Sequence, residues 1–598
     1  MRPTSPKRLR VELLEDRLTP TTGVPWSDAG SLSLSFVPDG TDAGGGTRSA
    51  LGSLLGYTSP DAWQREILRA YQTWAAATNV NIGLTADAGL ALGAAGLPQG
   101  DSRFGDIRVA ARPLSAGPGG SLAQATGFDD AAGTWAGDMV LGTTNAFGPA
   151  GYDLFSVALH EAGHSLSLLD NGSDPASAMW SVYSRRTGLN AADVAAIQAL
   201  YGVRSDDPYE GAAGNGTPAT AFNLTANGNL TAVTADLTRV GDVDVYRFTT
   251  PAAYSGATGL RIDLEAAGIS LLTARVTVLN AAGQVVASGV VTDPLSNDVS
   301  VVVPGYQAST TYYVKVEGAS GDVFSVGAYN LRLKYSPLAY GTSAVTGAQY
   351  VNLESGANDT RATAAPLGMV NAEHSTAFTA VGALTSGSDV DWYRITPSAP
   401  VGFTGTLSVG LVPLSGNGFR PVVAVYNARG VQLPAVVVTN ENGAFTVQLG
   451  NQQTGTTYYL KVTAADPSGA QAVGAYTLAA NVARAAVAAF DPLGTAALNS
   501  ARATAYARMT VTETRLTQFS LSVSGAGAAR AAVRMSILNG QGQVVFSLVA
   551  GAGQPLVTGT LWLLAGEYTV VFQAATADGR GLPGLTYTLG KRELSDPM

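Results

Sequence analysis

His160-Glu161-Ala162-Gly163-His164-Ser165-Leu166-Ser167-Leu168-Leu169-Asp170, followed by Asn171-Gly172-Ser173-Asp174-Pro175-Ala176-Ser177-Ala178-Met179-Trp180, is the stretch on which this 598-residue chain turns. Histidines four apart lie on one face of a helix, close enough for both rings to reach one ion. Glu161 sits beside them, placed to meet a water at the metal rather than the metal itself. This is the H-E-x-x-H spacing, in which two imidazoles hold zinc and the glutamate serves as general base. The bland alternative is an amphipathic helix with two satisfied histidines. Against it, the chain has only three His, and the third, His374, is far away in the sequence.

A catalytic zinc takes a third protein ligand and keeps one position open. Asp170 fits, lying six residues past His164, beyond the shared helical face; Asp174 is the rival. The helix must then end near Ser167 and the chain must turn back. The arrangement resembles the metzincin pattern H-E-x-x-H-x-x-G-x-x-H, in which a glycine makes that turn. Ser167 stands in the glycine position and Asp170 in the third-ligand position. A left-handed Ser167 would cost about 1 kcal/mol or more.

Length alone implies several domains. Charged residues are 13% of the chain, well below the roughly 25% of average globular proteins. Seventy-one glycines and long stretches of Thr, Ser, Ala and Val suit short strands and tight turns. The net charge of −9 comes without a basic patch beyond the first residues, which argues against nucleic acid as a partner. Cysteine is absent, so no disulfide framework exists and no thiolate can ligate or block zinc. No apolar run reaches about eighteen residues, so no membrane-spanning helix is expected. The N-terminus is basic, without the apolar core of a secretory signal. Its Glu12-Leu13-Leu14-Glu15-Asp16-Arg17 resembles a short segment found on large bacterial surface proteins and exoproteins.

Ahead of the motif, Leu32, Leu34 and Phe36 alternate with serines as in a half-buried strand. Ser59-Pro60-Asp61 reads as a helix start, and Trp63, Ile67, Ala70, Tyr71 and Trp74 follow at helical spacing as core. Val80, Ile82 and Leu84, then Ile107 and Val109, alternate again. Here the likeness to the matrixin branch of the metzincins is specific. Asp153-Leu154-Phe155-Ser156-Val157-Ala158-Leu159 resembles the start of the matrixin active-site helix. Gly119-Gly120-Ser121-Leu122-Ala123-Gln124-Ala125 resembles the edge strand on which matrixins line up substrate, and Gly137-Asp138-Met139-Val140-Leu141 the strand after it. Residues 189–202 resemble the C-terminal helix. The resemblance implies Met179 as the methionine turn beneath the metal and Tyr183 on the wall of the pocket after the scissile bond. It also implies a peptide paired with Leu122 and Ala123. Gln124 stands where a matrixin often offers His to a structural zinc, so one zinc, the catalytic one, is expected.

The remainder is repetitive. Asp242-Val243-Asp244-Val245-Tyr246-Arg247-Phe248 returns as Asp389-Val390-Asp391-Trp392-Tyr393-Arg394-Ile395, and Val326-Gly327-Ala328-Tyr329 as Val473-Gly474-Ala475-Tyr476, each 147 residues on. Alternating runs between turn residues read as antiparallel β-sandwiches, and the pattern resembles the bacterial pre-peptidase C-terminal domain, a jelly-roll-like module. A degenerate third copy lacks the Asp-x-Asp-x-Tyr segment. Asp242, Asp244, Asp389 and Asp391 are candidate calcium ligands; the plainer reading has them facing solvent on a strand that buries the intervening Val.

The expected chain is therefore multidomain. An N-terminal tail (1–23) precedes an α+β metzincin-type domain with a twisted sheet and active-site helix (24–203). Two or three antiparallel β-sandwich domains follow (204–336, 355–482 and 500–598), with linkers at 337–354 and 483–499. The expected function is a secreted or surface zinc metalloendopeptidase acting on extracellular proteins, with Glu161 as base and His160, His164 and Asp170 on zinc. The β-domains are candidates for binding substrate, cell surface or matrix. The alternative is a surface adhesin carrying a vestigial protease domain. Linkers without an apolar pattern imply that the catalytic domain is separable.

Overall fold

The computed structural model describes residues 23–597 apart from 55–56, 58, 115–120, 149–150, 212–213, 225–229, 251–258, 305, 336–357, 368–377, 398–403, 415–417, 470, 484, 526–530 and 577–581. The basic N-terminal segment, Gly119, Gly120, the expected linker 337–354 and His374 lie outside the described residues.

The N-terminal region is a twisted sheet with helices against it. Its elements are β1 (Leu32–Phe36), α1 (Pro60–Ala75), β2 (Ile82–Leu84), β3 (Ile107–Arg112), β4 (Ala123–Thr126), β5 (Met139–Gly142), α2 (Leu154–Ser165) and α3 (Ala191–Tyr201). The strand order is β2-β1-β3-β5-β4, continued past β4 by a strand from the far end of the sequence, Ser595–Pro597. The β1–β2, β1–β3 and β3–β5 pairs are parallel, and β4 runs antiparallel to β5. The apolar stripe of α1 is core as expected: Trp63, Ile67, Ala70, Tyr71 and Trp74 are all buried. The half-buried reading of β1 needs correction. Ser33 is partly exposed, as that reading has it, but Ser35 is fully buried, its hydroxyl donating to Asp87.

Beyond residue 204 the chain is antiparallel sheet. Three apolar clusters each draw side chains from two sheets. In the first, Ala274–Asn280, Thr311–Gly318 and Val243–Thr249 are neighbours in one sheet, and Gly259–Glu265, Gly327–Tyr335 and Leu230–Leu237 in the other. The repeat is structural as well as sequential. Tyr246 and Tyr329 meet hydroxyl to hydroxyl at 2.8 Å, and Tyr329 donates to Asp244 at 2.5 Å. Tyr393, Tyr476 and Asp391 reproduce this at 2.9 and 2.6 Å. The reading that these aspartates face solvent is inverted: Asp244 and Asp391 are buried, and Val243 and Val390 are the half-exposed residues. A tyrosine hydroxyl from the opposite sheet donates to one oxygen of each carboxylate, and burial pushes Asp244 up to about 8. In the third unit the strand Asp491–Leu498 pairs with Leu585–Glu593, so half of the stretch expected as linker 483–499 is sheet.

The β-units do not hang on linkers. Arg204, almost fully buried, donates to the carbonyls of Ala75, Thr78 and Val80 while its guanidinium pairs with Asp236 at 2.6 Å. Gln72 on α1 donates to the carbonyls of Val323 and Val326. Leu271 and Phe324 of the first repeat belong to the N-terminal core. From the third unit, Trp562 and Leu516 pack with Val37, Ala43, Leu92, Ala110, Leu114 and Val140. Trp562 lies so close to Gly44 that a Cβ there would come within 2.5 Å of its ring. These shared cores argue against the expectation of a separable catalytic region.

Candidate active site

Asp153 caps α2, its carboxylate accepting from the Ser156 amide at 3.0 Å and the Ser156 hydroxyl at 2.6 Å. From that start every residue of α2 is buried, including His160, Glu161 and His164. Indole N–H groups hold the helix from two sides: Trp74 donates to the Leu159 carbonyl and Trp26 to the Ser165 carbonyl, both at 2.8 Å. Tyr71 meets the Ser165 hydroxyl at 2.9 Å.

The helix ends where the third ligand requires. Leu166 is its C-cap and Ser167 has φ = 67°, the left-handed turn that a glycine would adopt more easily. The Ser167 amide donates to the His164 carbonyl at 2.7 Å, and its hydroxyl accepts from the Phe128 amide at 3.0 Å. The turn brings Asp170 back over the helix. Its Oδ1 lies 3.5 Å from His160 Nε2 and 3.6 Å from His164 Nε2, and the two Nε2 atoms are 3.0 Å apart. Asp174 is elsewhere: its carboxylate accepts from the Ala176 amide and the Asn190 side chain.

These three atoms suit zinc. Bonds of about 2.0–2.2 Å in a tetrahedron set neighbouring donors about 3.3 Å apart, close to the triangle observed. The ring nitrogens are prepared for it. His160 Nδ1 lies 2.9 Å from the Ala178 carbonyl and His164 Nδ1 2.8 Å from the Leu168 carbonyl. A carbonyl only accepts, so each Nδ1 carries the proton and each Nε2 presents a lone pair. Two lone pairs facing each other at 3.0 Å repel unless a cation lies between them and the carboxylate. Burial, then the neighbouring His164, pulls His160 down to about 3, which keeps its ring neutral at physiological pH. Among the described residues, His160, His164 and Asp170 are the one group of three or more such side chains close enough to share an ion.

Met179 lies beneath. A Cβ on Gly163 would come within 2.2 Å of Met179 Sδ, so the glycine lets the methionine sulfur lie close against the helix. Asp193, at the third position of α3, is a residue that sequence reasoning missed. Its carboxylate accepts from the Asn190 amide, the Ala178 amide and the Ser177 hydroxyl, fixing the carbonyl that orients His160. The Asn190-x-x-Asp193 spacing carried a legible capping signal; its reach to Ser177 and Ala178 did not. Tyr183 is half-buried; its hydroxyl accepts from the Asp153 amide at 3.0 Å and its ring meets Tyr152 edge-on.

Leu122 and Ala123 are buried at the start of the outer strand of the N-terminal sheet. That edge is not wholly open, because Ser595–Pro597 pairs with residues 124–126. Gln124 donates to the Thr514 carbonyl at 2.7 Å, so where a matrixin would offer a zinc-binding imidazole this chain makes a contact with its third β-unit. The aspartates considered for calcium serve the repeats. Asp242 accepts from Thr238 and Asp389 from Thr385, through amide and hydroxyl in each case, and Asp244 and Asp391 accept from tyrosine.

Residues 55–202 match the family described as Matrixin, so the chain carries a matrixin-like domain there. Among solved structures, a DUF4785 family protein from Legionella pneumophila aligns at 8% identity over 62% of this chain and 87% of that one, with a TM-score of 0.13. Tandem CBM51 modules of a family 98 glycoside hydrolase from Streptococcus pneumoniae align at 9% identity over 60% and 83%, with a TM-score of 0.15. At those TM-scores neither likeness bears on fold or function.

Proposed function

We propose that the chain is a zinc metalloendopeptidase, exported by a bacterial cell, that hydrolyses peptide bonds of extracellular proteins. The observation that carries the reading is the triangle of His160 Nε2, His164 Nε2 and Asp170 Oδ1, with both Nδ1 atoms committed to carbonyls. Zinc held there would supply a Lewis acid that polarises the scissile carbonyl and acidifies water. Glu161, buried beside both ligands, takes the proton from the attacking water and returns it to the leaving amine. An extended peptide pairs through its backbone with β4 at Leu122 and Ala123. Tyr183, tied to the start of α2, lines the wall beyond the scissile bond, and Met179 supports the floor. An intact set of donors and base gives no support to a vestigial protease.

The catalytic unit is taken as 24–203. Three β-sandwich units of jelly-roll type follow, at 204–336, 355–482 and from about 491 onward, and they are proposed to hold substrate or a surface near the cleft. No helix among the described residues is long and apolar enough to cross a membrane.

Casein digestion with and without a chelator, by the full chain and by Glu161→Gln, tests the reading. The variant should keep its zinc and lose cleavage by about a hundredfold or more, the scale of general-base catalysis. Near-normal turnover in Glu161→Gln would refute the assignment.

A further inference from the structure

The edge of β4 has an occupant within the same chain. A strand has two hydrogen-bonding edges, and β5 fills one, with Ala123 opposite Leu141, Gln124 opposite Val140 and Ala125 opposite Met139. The other edge is where an extended peptide must pair. Ser595–Pro597 lies along it, antiparallel, with Ser595 opposite Thr126, Asp596 opposite Ala125 and Pro597 opposite Gln124. The segment therefore advances along β4 towards Ala123 and Leu122, the positions read as pairing with substrate.

Its seat is built from both partners. It continues directly from Leu585–Glu593, whose Arg592 pairs with Asp129 at 2.8 Å, just beyond β4. The Leu594 amide donates to the Leu516 carbonyl at 2.8 Å, and the buried Ser595 hydroxyl accepts from the Leu516 amide at 2.9 Å. The Leu594 side chain packs against both cores of the N-terminal region. Pro597 stands opposite Gln124, where an N–H would face away from β4, so its missing N–H costs the pairing nothing.

We propose that the segment 594–597 is an autoinhibitory strap: it takes the backbone positions that an extended substrate needs along residues 124–126, and a long peptide must displace it. The proposal rests on the reading that this edge binds peptide. Access then depends on the fraction of molecules in which the strap is off β4, and the apparent affinity for a long peptide scales with that fraction.

The chain has no cysteine, so one reversible lock can be added without ambiguity. Residues facing each other across antiparallel strands have Cα atoms about 4.5–5.5 Å apart, within the range a disulfide spans. Thr126→Cys combined with Ser595→Cys in the full chain would tie strap to edge when oxidised and free it when reduced, with bond formation followed by mass. The readout is binding of fluorescein-labelled unfolded casein by anisotropy, which needs no turnover. The oxidised form should bind at least about tenfold more weakly than its own reduced form, the scale of one or two lost backbone hydrogen bonds. A second variant, Asp596→Pro, removes an N–H from the ladder and should bind casein more tightly than the parent chain. Equal affinity in the oxidised and reduced forms would overturn the proposal, as would unchanged binding by Asp596→Pro. If the reduced form binds more tightly yet cleaves nothing, the strap stands and the peptidase reading fails.

Discussion

Ser167 holds a glycine's conformation, and the structure gives both sides of its energetics. An L-residue in the left-handed region costs about 1–2 kcal/mol, and Ser167 at φ = 67° carries that strain. Against it, the hydroxyl satisfies the buried Phe128 amide at 3.0 Å, at a residue that is 3% exposed and leaves no path for water. Orphaning such an amide costs about 1–3 kcal/mol. Ser167→Ala keeps the strain and loses the bond, so it should be less stable by about 1–3 kcal/mol. Ser167→Gly loses the bond but sheds the strain, at an extra unfolded-state entropy of about 0.5–1 kcal/mol, so it should fall between Ala and the parent. The order expected is Ser, then Gly, then Ala. Because the chain has several cores, one global unfolding curve would blur this. Native-state hydrogen exchange at the amides of α2 reads the local free energy instead. A glycine variant more stable than the parent by over about 1 kcal/mol would show that the hydroxyl contributes little. An alanine variant indistinguishable from the parent would refute the argument outright.

Two further outcomes are expected. Asp170→Ala should weaken zinc affinity at least about tenfold in a chelator competition, whereas Asp174→Ala, which loses a turn and a bond to the Asn190 side chain but no donor to the ion, should leave it unchanged; equal losses would overturn the ligand assignment. A chain ending at Gly202 should be insoluble or markedly destabilised, because it strips Leu271, Phe324, Leu516 and Trp562 from shared cores, each such side chain contributing about 2–5 kcal/mol. A soluble, monomeric truncation by size exclusion would show that those contacts are dispensable.

The parts legible in the sequence are those in which chemistry is local. His160 and His164 are placed by helical spacing alone, and the left-handed turn at Ser167 follows from needing Asp170 back over the same face. The repeat at a fixed offset foretold that Asp244 and Asp391 would share one environment. It could not say which environment, because a period of two alternates identically whichever face is inside. The side of burial is decided by Tyr329 and Tyr476, which arrive from the opposite sheet with a hydroxyl for each carboxylate.

What composition hid is the difference between polar residues that face water and those that face another unit. A chain with 13% charge and long stretches rich in Ser and Thr reads as a set of neutral surfaces. Much of that polarity is spent between units. Gln72 and Asn81 meet the first repeat, Asn481 of the second repeat reaches Ser27 and Asp130, and Gln518 of the third donates to the Ala131 carbonyl. Neutral side chains suit such contacts, since they are desolvated at far lower cost than charges. The same logic explains why Ser595–Pro597 left no trace in the sequence. Three residues with no apolar period and a proline do not announce a strand, and this one exists because β4 supplies an unfilled edge and Leu594, Ser595 and Arg592 hold it there.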